Sequence, residues 1–340
     1  MSDSMPLVRI HGVEDVRIDD VPIPECGEDD VLVEVSSCGV CGTDVAYVAT
    51  GGLLPPGVPM PLGHELSGTV SAVGRRVKHV TVGQRVVVQP TANGTDIGNG
   101  GPEGGFAPLL RISGAGTHPD AVRPLPENMS FEQGALVEPM SVAMHGVNQS
   151  GIQPGQSVLV LGSGPIGLSA VVVLRHYGVE EIVVADPSPF RLDLARQLGA
   201  SATCEVGRQD LMDVLTECHG EMEWYGERLA GTDVYIEATG LGPVLEQAIG
   251  LSRYGATVVV VGVHHEPIQL HPRVLLTKEL RLIGSMAYPD EFPAAIEMLS
   301  GGTVDTTPLI THRFALSDFH QALAVAGDPQ QAGKVMIHIR

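Results

Sequence analysis

Between positions 38 and 44 the sequence reads Cys38-Gly-Val-Cys41-Gly-Thr43-Asp44, with a thiol, a hydroxyl and a carboxylate within four positions of one another. A thiolate suits zinc, and a catalytic zinc usually takes three protein ligands and leaves one position open. This stretch alone cannot supply three. Gly63-His64-Glu65 adds an imidazole and an acid at the end of a Gly/Pro-rich loop running from Gly51, and Leu136-Val-Glu138-Pro139 adds a second acid ahead of a helix-like stretch from Met140 to Val147. The ligand candidates are therefore Cys41 and His64, with either Glu65 or Glu138 as the third. Cys38 and Cys41 also form a CxxC, which fits a redox pair or half a zinc knuckle, but no second CxxC follows. Cys38 is expected to be a spectator, Cys26, Cys204 and Cys218 inert thiols, and His145 a core residue.

A second constellation is Gly162-x-Gly164-x-x-Gly167, with Pro165 and Ile166 between its last two glycines. It follows the apolar run Ser157 to Leu161 and opens a helix-like stretch from Leu168 to His176. The first glycine permits a tight turn, the second lets backbone approach a pyrophosphate, and the third lets helix and strand pack. Unpaired N–H groups at the helix start would face that anion. Asp186 ends the next strand, 24 residues beyond Gly162, where an acid can accept from an adenosine ribose 2′-OH and would repel a 2′-phosphate. NAD is expected over NADP, with Arg191 close enough to soften the repulsion. Gly262, after the strand-like run Ala256 to Val261, completes the cofactor-binding set.

These residues need scaffolding that the rest of the chain must supply. A length of 340 residues suggests about two domains. From Leu7 to about Val147 the text is strand-like, with Val31 to Val35, Gly68 to Val73 and Arg85 to Val88 separated by Gly, Pro and Asp, which predicts a β-rich, partly barrel-like domain. From Gly151 strands and helices alternate through Ile182 to Asp186, Arg191 to Leu198, Asp233 to Glu237, Ala256 to Val261 and Leu280 to Gly284, which predicts a parallel sheet with helices on both faces. A helix from about Glu291 to Leu299 and a strand from Lys334 to His338 follow. The expected fold class is α/β, with residues 1–149 and 286–340 forming the catalytic domain and 150–285 the dinucleotide-binding domain. The segment Glu221 to Arg228, holding the only tryptophan, Trp224, reads as a loop or subunit contact.

Composition narrows the partners. A net charge of −20 argues against nucleic acid and anionic membrane. No apolar run reaches the ~20 residues of a membrane span. Five unevenly spaced cysteines do not make a disulfide framework, and the first residues show no export signal, so the cytoplasm is the expected compartment.

Taken together, Cys41-Gly-Thr-Asp44, Gly63-His64-Glu65, Glu138-Pro139, the glycine turn and Lys278-Glu-Leu-Arg-Leu-Ile-Gly-Ser285 resemble the zinc-dependent medium-chain alcohol dehydrogenase family, in particular its sorbitol and butanediol dehydrogenase branches. The resemblance implies a GroES-like catalytic domain and a Rossmann domain, a zinc held by Cys41, His64 and a carboxylate, and an NAD cofactor. Either Glu65 or Glu138 is then the ligand, the other taking the complementary part. Thr43 would pass the alcohol proton, and Asp44 would support the ligands. Zinc would make a bound alcohol acidic near neutral pH, so that hydride can pass to the nicotinamide. A homodimer or homotetramer is implied as well.

The sequence departs from that family in three places. Gln89 to Gly105 contains no cysteine where many relatives bind a second, structural zinc, so one catalytic zinc per chain and no structural zinc is expected. Ala46 occupies the position of a proton-relaying histidine, leaving the ribose and water as the expected route. Ala287 stands before Tyr288 where sorbitol-type members have arginine, and Tyr47 resembles a pocket-wall residue of the butanediol branch. Tyr47 and Tyr288 are thus the substrate-pocket candidates, and a secondary alcohol or vicinal diol is the expected substrate. The alternatives are a polyol or sugar dehydrogenase and, more remotely, a non-catalytic nucleotide-binding relative.

Overall fold

The computed structural model describes residues 4–339. The chain opens with the antiparallel strands β1 (Ser4–Gly12) and β2 (Asp15–Pro22), followed by β3 (Val31–Val40), helix α1 (Gly42–Thr50), β4 (Met60–Pro61), β5 (Glu65–Val73), β6 (Arg85–Val88), β7 (Leu109–Ile112) and β8 (Val122–Pro124). Two helices, α2 (Phe131–Ala135) and α3 (Val137–Ser150), lead out of this β-rich part. β3 is buried along nearly its whole length because β5 and β7 pair with it and helices cover it.

Strands β9 (Val158–Leu161), β10 (Ile182–Asp186) and β11 (Ala202–Glu205) alternate with helices α4 (Pro165–His176), α5 (Pro189–Gln197) and α6 (Leu211–His219). After the hairpin β12 (Glu221–Trp224) and β13 (Glu227–Ala230) come β14 (Val234–Glu237), α7 (Gly242–Leu251), β15 (Thr257–Val260), α8 (Pro272–Lys278) and β16 (Arg281–Gly284). The parallel order is β11-β10-β9-β14-β15-β16, so the winding direction reverses between β9 and β14. β9, β10 and β14 are buried on both faces, which explains their unbroken apolar text. Pro165 and Pro189 occupy first-turn positions where a missing N–H costs nothing, and Ser188 Oγ accepts from Arg191 N at 3.3 Å to cap α5.

Helix α9 (Phe292–Gly301), β17 (Ile310–Ala315), α10 (Phe319–Ala326) and β18 (Lys334–His338) return to the first domain. There β18 pairs antiparallel with β3 and parallel with β17, completing the sheet β17-β18-β3-β5-β6-β8, with β7 on β3. One hydrophobic core fills the barrel-like part, a second covers one face of the parallel sheet, and a third, built around α3, α4 and α9, joins the sheet's other face to the first domain. Among the described residues no helix is long and apolar enough to cross a membrane.

Several elements differ from their sequence reading. β3 runs on to Val40, five residues past the strand-like run ending at Val35, so Cys38 lies buried inside a strand, and α4 and α3 each begin about three residues earlier than their apolar runs. The Trp224 segment is a hairpin whose indole packs against Tyr254 at 4.6 Å and donates to Thr277 O at 3.0 Å, so this ring is used within the chain. His145 is no core histidine. Its Nδ1 pairs with Glu291 Oε1 at 2.8 Å, a carboxylate that also accepts from Asn148.

Leu159 is fully buried in β9 near the centre of the sheet, so truncation there should be costly. Leu159→Ala is expected to lower stability by about 2–5 kcal/mol, measured as a fall in the urea midpoint at unchanged m-value.

Candidate active site

The end of β3, the start of α1 and the start of β5 bring the chemistry together. Cys41 is the N-cap of α1, and Asp44, in its first turn, accepts from Cys41 N through Oδ2 at 2.9 Å. Its other oxygen lies 3.7 Å from His64 Nδ1, so one fully buried carboxylate addresses both residues. Gly63 precedes His64 at φ +95°, with Phe106 N only 2.7 Å from where a Cβ would stand, so only glycine can turn the chain there. The Cys41 thiol, a His64 ring nitrogen and a Glu65 carboxylate oxygen then lie within 4.8 Å of one another.

The surroundings are what a cation would require. Asp44 Oδ1, His64 Nδ1 and Glu65 Oε2 are buried without a hydrogen-bond partner, although Glu65 Oε2 makes a close ion pair with Lys334 Nζ. Each of these atoms faces a charged neighbour, Asp44 Oδ1 and His64 Nδ1 one another and Glu65 Oε2 the lysine, which leaves the Cys41 thiol, another His64 nitrogen and the rest of the Glu65 carboxylate as the donors a cation would meet. Thiol, imidazole and carboxylate together are donors that suit zinc. Lys334 is itself fully buried and stands above Gly39, where a Cβ would run into Glu65 Oε2 and lie 2.8 Å from Lys334 Cε. The registers Gly39↔Glu65 and Gly39↔Met336 explain the meeting, since they set β5 and β18 on either side of Gly39.

Glu138, in the first turn of α3, is not one of the three converging groups but lies close by. Its carboxyl interacts with the Tyr288 hydroxyl, and burial pushes its pKa up to about 7, with His64 opposing and Glu65 adding to the rise. Burial also raises Asp44 and holds the Cys38 thiol well above its ordinary value. For His64, burial would favour the neutral ring, but Asp44 and Cys41 together hold its pKa well above the usual histidine value. Burial and Glu138 raise the Tyr288 phenol, and burial and Asp44 raise that of Tyr47. Thr43 and Ala46 are half-buried on α1.

The glycine turn sits at the carboxyl edge of β9. A Cβ on Gly167 would strike Gly162 O, which is the close helix–strand packing its position demands. Gly164 has room, its nearest atom beyond the turn being Arg191 Nη1 at 3.9 Å from a hypothetical Cβ, so a cation stands beside the N-terminus of α4. Asp186 is buried, with Oδ2 accepting from Ser163 N at 2.7 Å and Oδ1 from Ser188 N at 2.8 Å. These bonds fix the carboxylate, and each oxygen retains lone-pair capacity for a ribose hydroxyl. Gly262, beyond β15, lies against Gly240 N.

Lys334 escaped the reading of the sequence. One signal pointed to it, since it is one of three lysines in a chain of net charge −20 and it starts an otherwise apolar strand. Its target, Glu65, could be known only from strand register.

A GroES-like β domain and a Rossmann sheet, with a thiol–imidazole–carboxylate cluster, define a class of metal-dependent nucleotide-linked dehydrogenases. Residues 27–127 match the alcohol dehydrogenase GroES-like domain and residues 165–301 the zinc-binding dehydrogenase domain. Sorbitol dehydrogenase of Mus musculus is 33% identical over 334 residues, covering 93% of this chain and 91% of that protein. The crystal structure of 2R,3R-butanediol dehydrogenase from Bacillus subtilis has a TM-score of 0.87 at 29% identity, over 99% of this chain and 100% of that one. A zinc-binding dehydrogenase from Sinorhizobium meliloti, bound to NADP, has a TM-score of 0.84 at 28% identity, over 99% and 100% of the two chains. The chain belongs to the zinc-dependent medium-chain alcohol dehydrogenase family, and it is an alcohol or polyol oxidoreductase.

The raised carboxyl and imidazole values fix the sign of a pH effect. The unfolded chain loses the Glu138 proton near pH 4.5, whereas the folded chain keeps it to about 7. The folded state therefore binds more protons in this window and stability falls as pH rises through it. The raised Asp44 and His64 act in the same direction, each losing its share of stability as pH rises through its folded value. Metal-free protein should lose melting temperature across this range, and Glu138→Gln should flatten the loss. A melting temperature that rises with pH would contradict the burial argument.

Proposed function

We propose that the protein oxidises a secondary alcohol or vicinal diol to the ketone with NAD, using one catalytic zinc held by Cys41, His64 and Glu65. The observation that carries this reading is the convergence of those three donors within 4.8 Å. Bound there, zinc supplies the Lewis acidity that lets an alcohol hydroxyl ionise near neutral pH. Asp44 keeps Cys41 and His64 in place through the backbone N–H and Nδ1. Lys334 limits where the Glu65 carboxylate can point. Thr43, one residue before Asp44, accepts the hydroxyl proton while donating its own toward the cofactor ribose and from there to water, since Ala46 offers no group to carry it. Glu138, near Tyr288, adjusts the charge beside the substrate, and Tyr47 and Tyr288 line the pocket.

At the opposite end of the cofactor, Asp186 holds the adenosine ribose while Arg191 and the turn Gly162 to Gly167 take the pyrophosphate. The fixed Asp186 carboxylate disfavours a 2′-phosphate, which supports NAD. The alternative is a polyol substrate, favoured by the likeness to mouse sorbitol dehydrogenase. Ala287, which adopts φ +54° before Tyr288, brings no cation to polyol hydroxyls, and this supports the smaller alcohol. The edge strand β16, with exposed Arg281, Leu282 and Gly284, supports a homodimer or homotetramer. A cytoplasmic location agrees with the scattered thiols.

Metal analysis should find about one zinc per chain, lost in Cys41→Ser and Glu65→Gln but kept in Glu138→Gln, whose kcat falls. The reverse pattern for the two glutamates would exchange their roles. For the cofactor, kcat/KM should favour NAD over NADP, and Asp186→Ser should erase the preference. Turnover of butanediol, a cyclic alcohol, sorbitol and glucose completes the test, with strict preference for the sugars deciding for the polyol reading.

A further inference from the structure

Glu237 ends β14 with a carboxylate that is wholly buried, at the carboxyl edge of the sheet. Its Oε1 accepts from Thr239 N at 2.7 Å and Gly240 N at 3.0 Å, and also meets the Thr239 hydroxyl. Its backbone oxygen accepts from Val261 N at 2.8 Å and Gly262 N at 3.0 Å in the loop after β15. Its Oε2 faces His264 Nε2 at 2.8 Å. One residue thus ties the loops after β14 and β15 into a single ledge, so close that a Cβ on Gly240 would strike Val263 O. The glycine turn after β9 adjoins this ledge, with Thr239 Cγ2 only 2.8 Å from where a Gly162 Cβ would be.

The place of this ledge follows from the strand order. A dinucleotide lies across the crevice where the winding reverses, here between β9 and β14. Asp186, on β10, draws the adenosine half to one side of β9, so the nicotinamide half extends over the ends of β14 and β15. His264 stands on that side. A carboxylate accepts, so the ring nitrogen facing Glu237 carries the proton, and a neutral imidazole then presents Nδ1 as an acceptor. His264 Nδ1 is buried and has no partner, an unpaired polar atom in a ledge where every other named polar group is paired.

We propose that His264 positions the nicotinamide ring, with Glu237 orienting the imidazole and Nδ1 accepting from the NH2 of the carboxamide. This rests on the dinucleotide reading given above. The loop after β15 adjusts around the ring so that Nδ1 gains the partner it lacks.

Binding measured by calorimetry, without turnover, tests the proposal. The probes are NAD, its 3-acetylpyridine analogue, which lacks the carboxamide NH2, and ADP-ribose, which lacks the nicotinamide. The wild-type protein should bind NAD about tenfold tighter than the analogue, the scale of one hydrogen bond. In His264→Ala that ratio should approach unity with ADP-ribose affinity unchanged. His264→Gln keeps a donor for Glu237 and so separates folding from contact, and it should melt like the wild type yet also lose the ratio. A ratio preserved in both variants, or ADP-ribose affinity falling in step with NAD, would overturn the role of His264 while leaving the cofactor intact. Failure of the wild type to bind any of the three would overturn the dinucleotide reading itself, and this inference with it.

Discussion

The buried contact between Glu65 and Lys334 is the constraint on which the rest of the site depends. Two opposite charges removed from water cost several kcal/mol each in desolvation and are retained only when the geometry returns that cost. The return here has two sources, the short approach of the two groups and the field of the neighbouring Cys41 and Glu138, which favours the lysine charge. The approach exists only because Gly39 leaves the volume empty. Three strands therefore meet on one glycine, and the carboxylate that one of them carries is aimed before any metal arrives.

Around this pair the site carries an excess of groups that can bear negative charge. Cys41, Asp44, Glu65 and Glu138 stand against Lys334 and His64, and the raised values of Asp44, Glu138 and His64 all express the same deficit of positive charge under burial. Uptake of a divalent cation is the change that relieves it, since ligands must shed protons to bind metal. Helix α3 links this electrostatics to the nucleotide domain. It starts with Glu138, packs on α4 and α9, and meets β15 near Gly146, where Val261 Cγ2 lies 2.8 Å from a hypothetical Cβ. The same helix thus borders both the cluster and the ledge built by Glu237.

Much of this was legible in the text. The parallel sheet announced itself through short apolar strands alternating with helical runs, because strands buried on both faces have no polar face to show. Glycines at 162 and 167 were legible because each meets a steric demand that other residues cannot, whereas Gly164 has room for a side chain in this structure. His145 misled, since its apolar neighbours suggested a core and its partner Glu291 lies 146 positions away. The Trp224 segment forms a hairpin where the sequence suggests a loop, and the bond from its indole to Thr277, 53 positions away, is tertiary.

By itself the sequence determined which chemistry is available. The types and spacing of Cys41, Asp44, His64, Glu65 and Glu138, together with the glycine turn and Asp186, name soft and hard donors and a candidate dinucleotide cradle, because these properties belong to side chains and local turns. Only the tertiary structure decided how they are arranged. Glu65 joins Cys41 and His64 while Glu138 stays outside that trio, Lys334 reaches Glu65, and His264 reaches Glu237. Each of those outcomes depends on strand register and on the strand order across the sheet, which bring together distant residues such as Glu65 and Lys334, 269 positions apart. Periodicity along the chain carries no record of such distances, and burial then converts each meeting into a charge, an orientation or an unpaired atom.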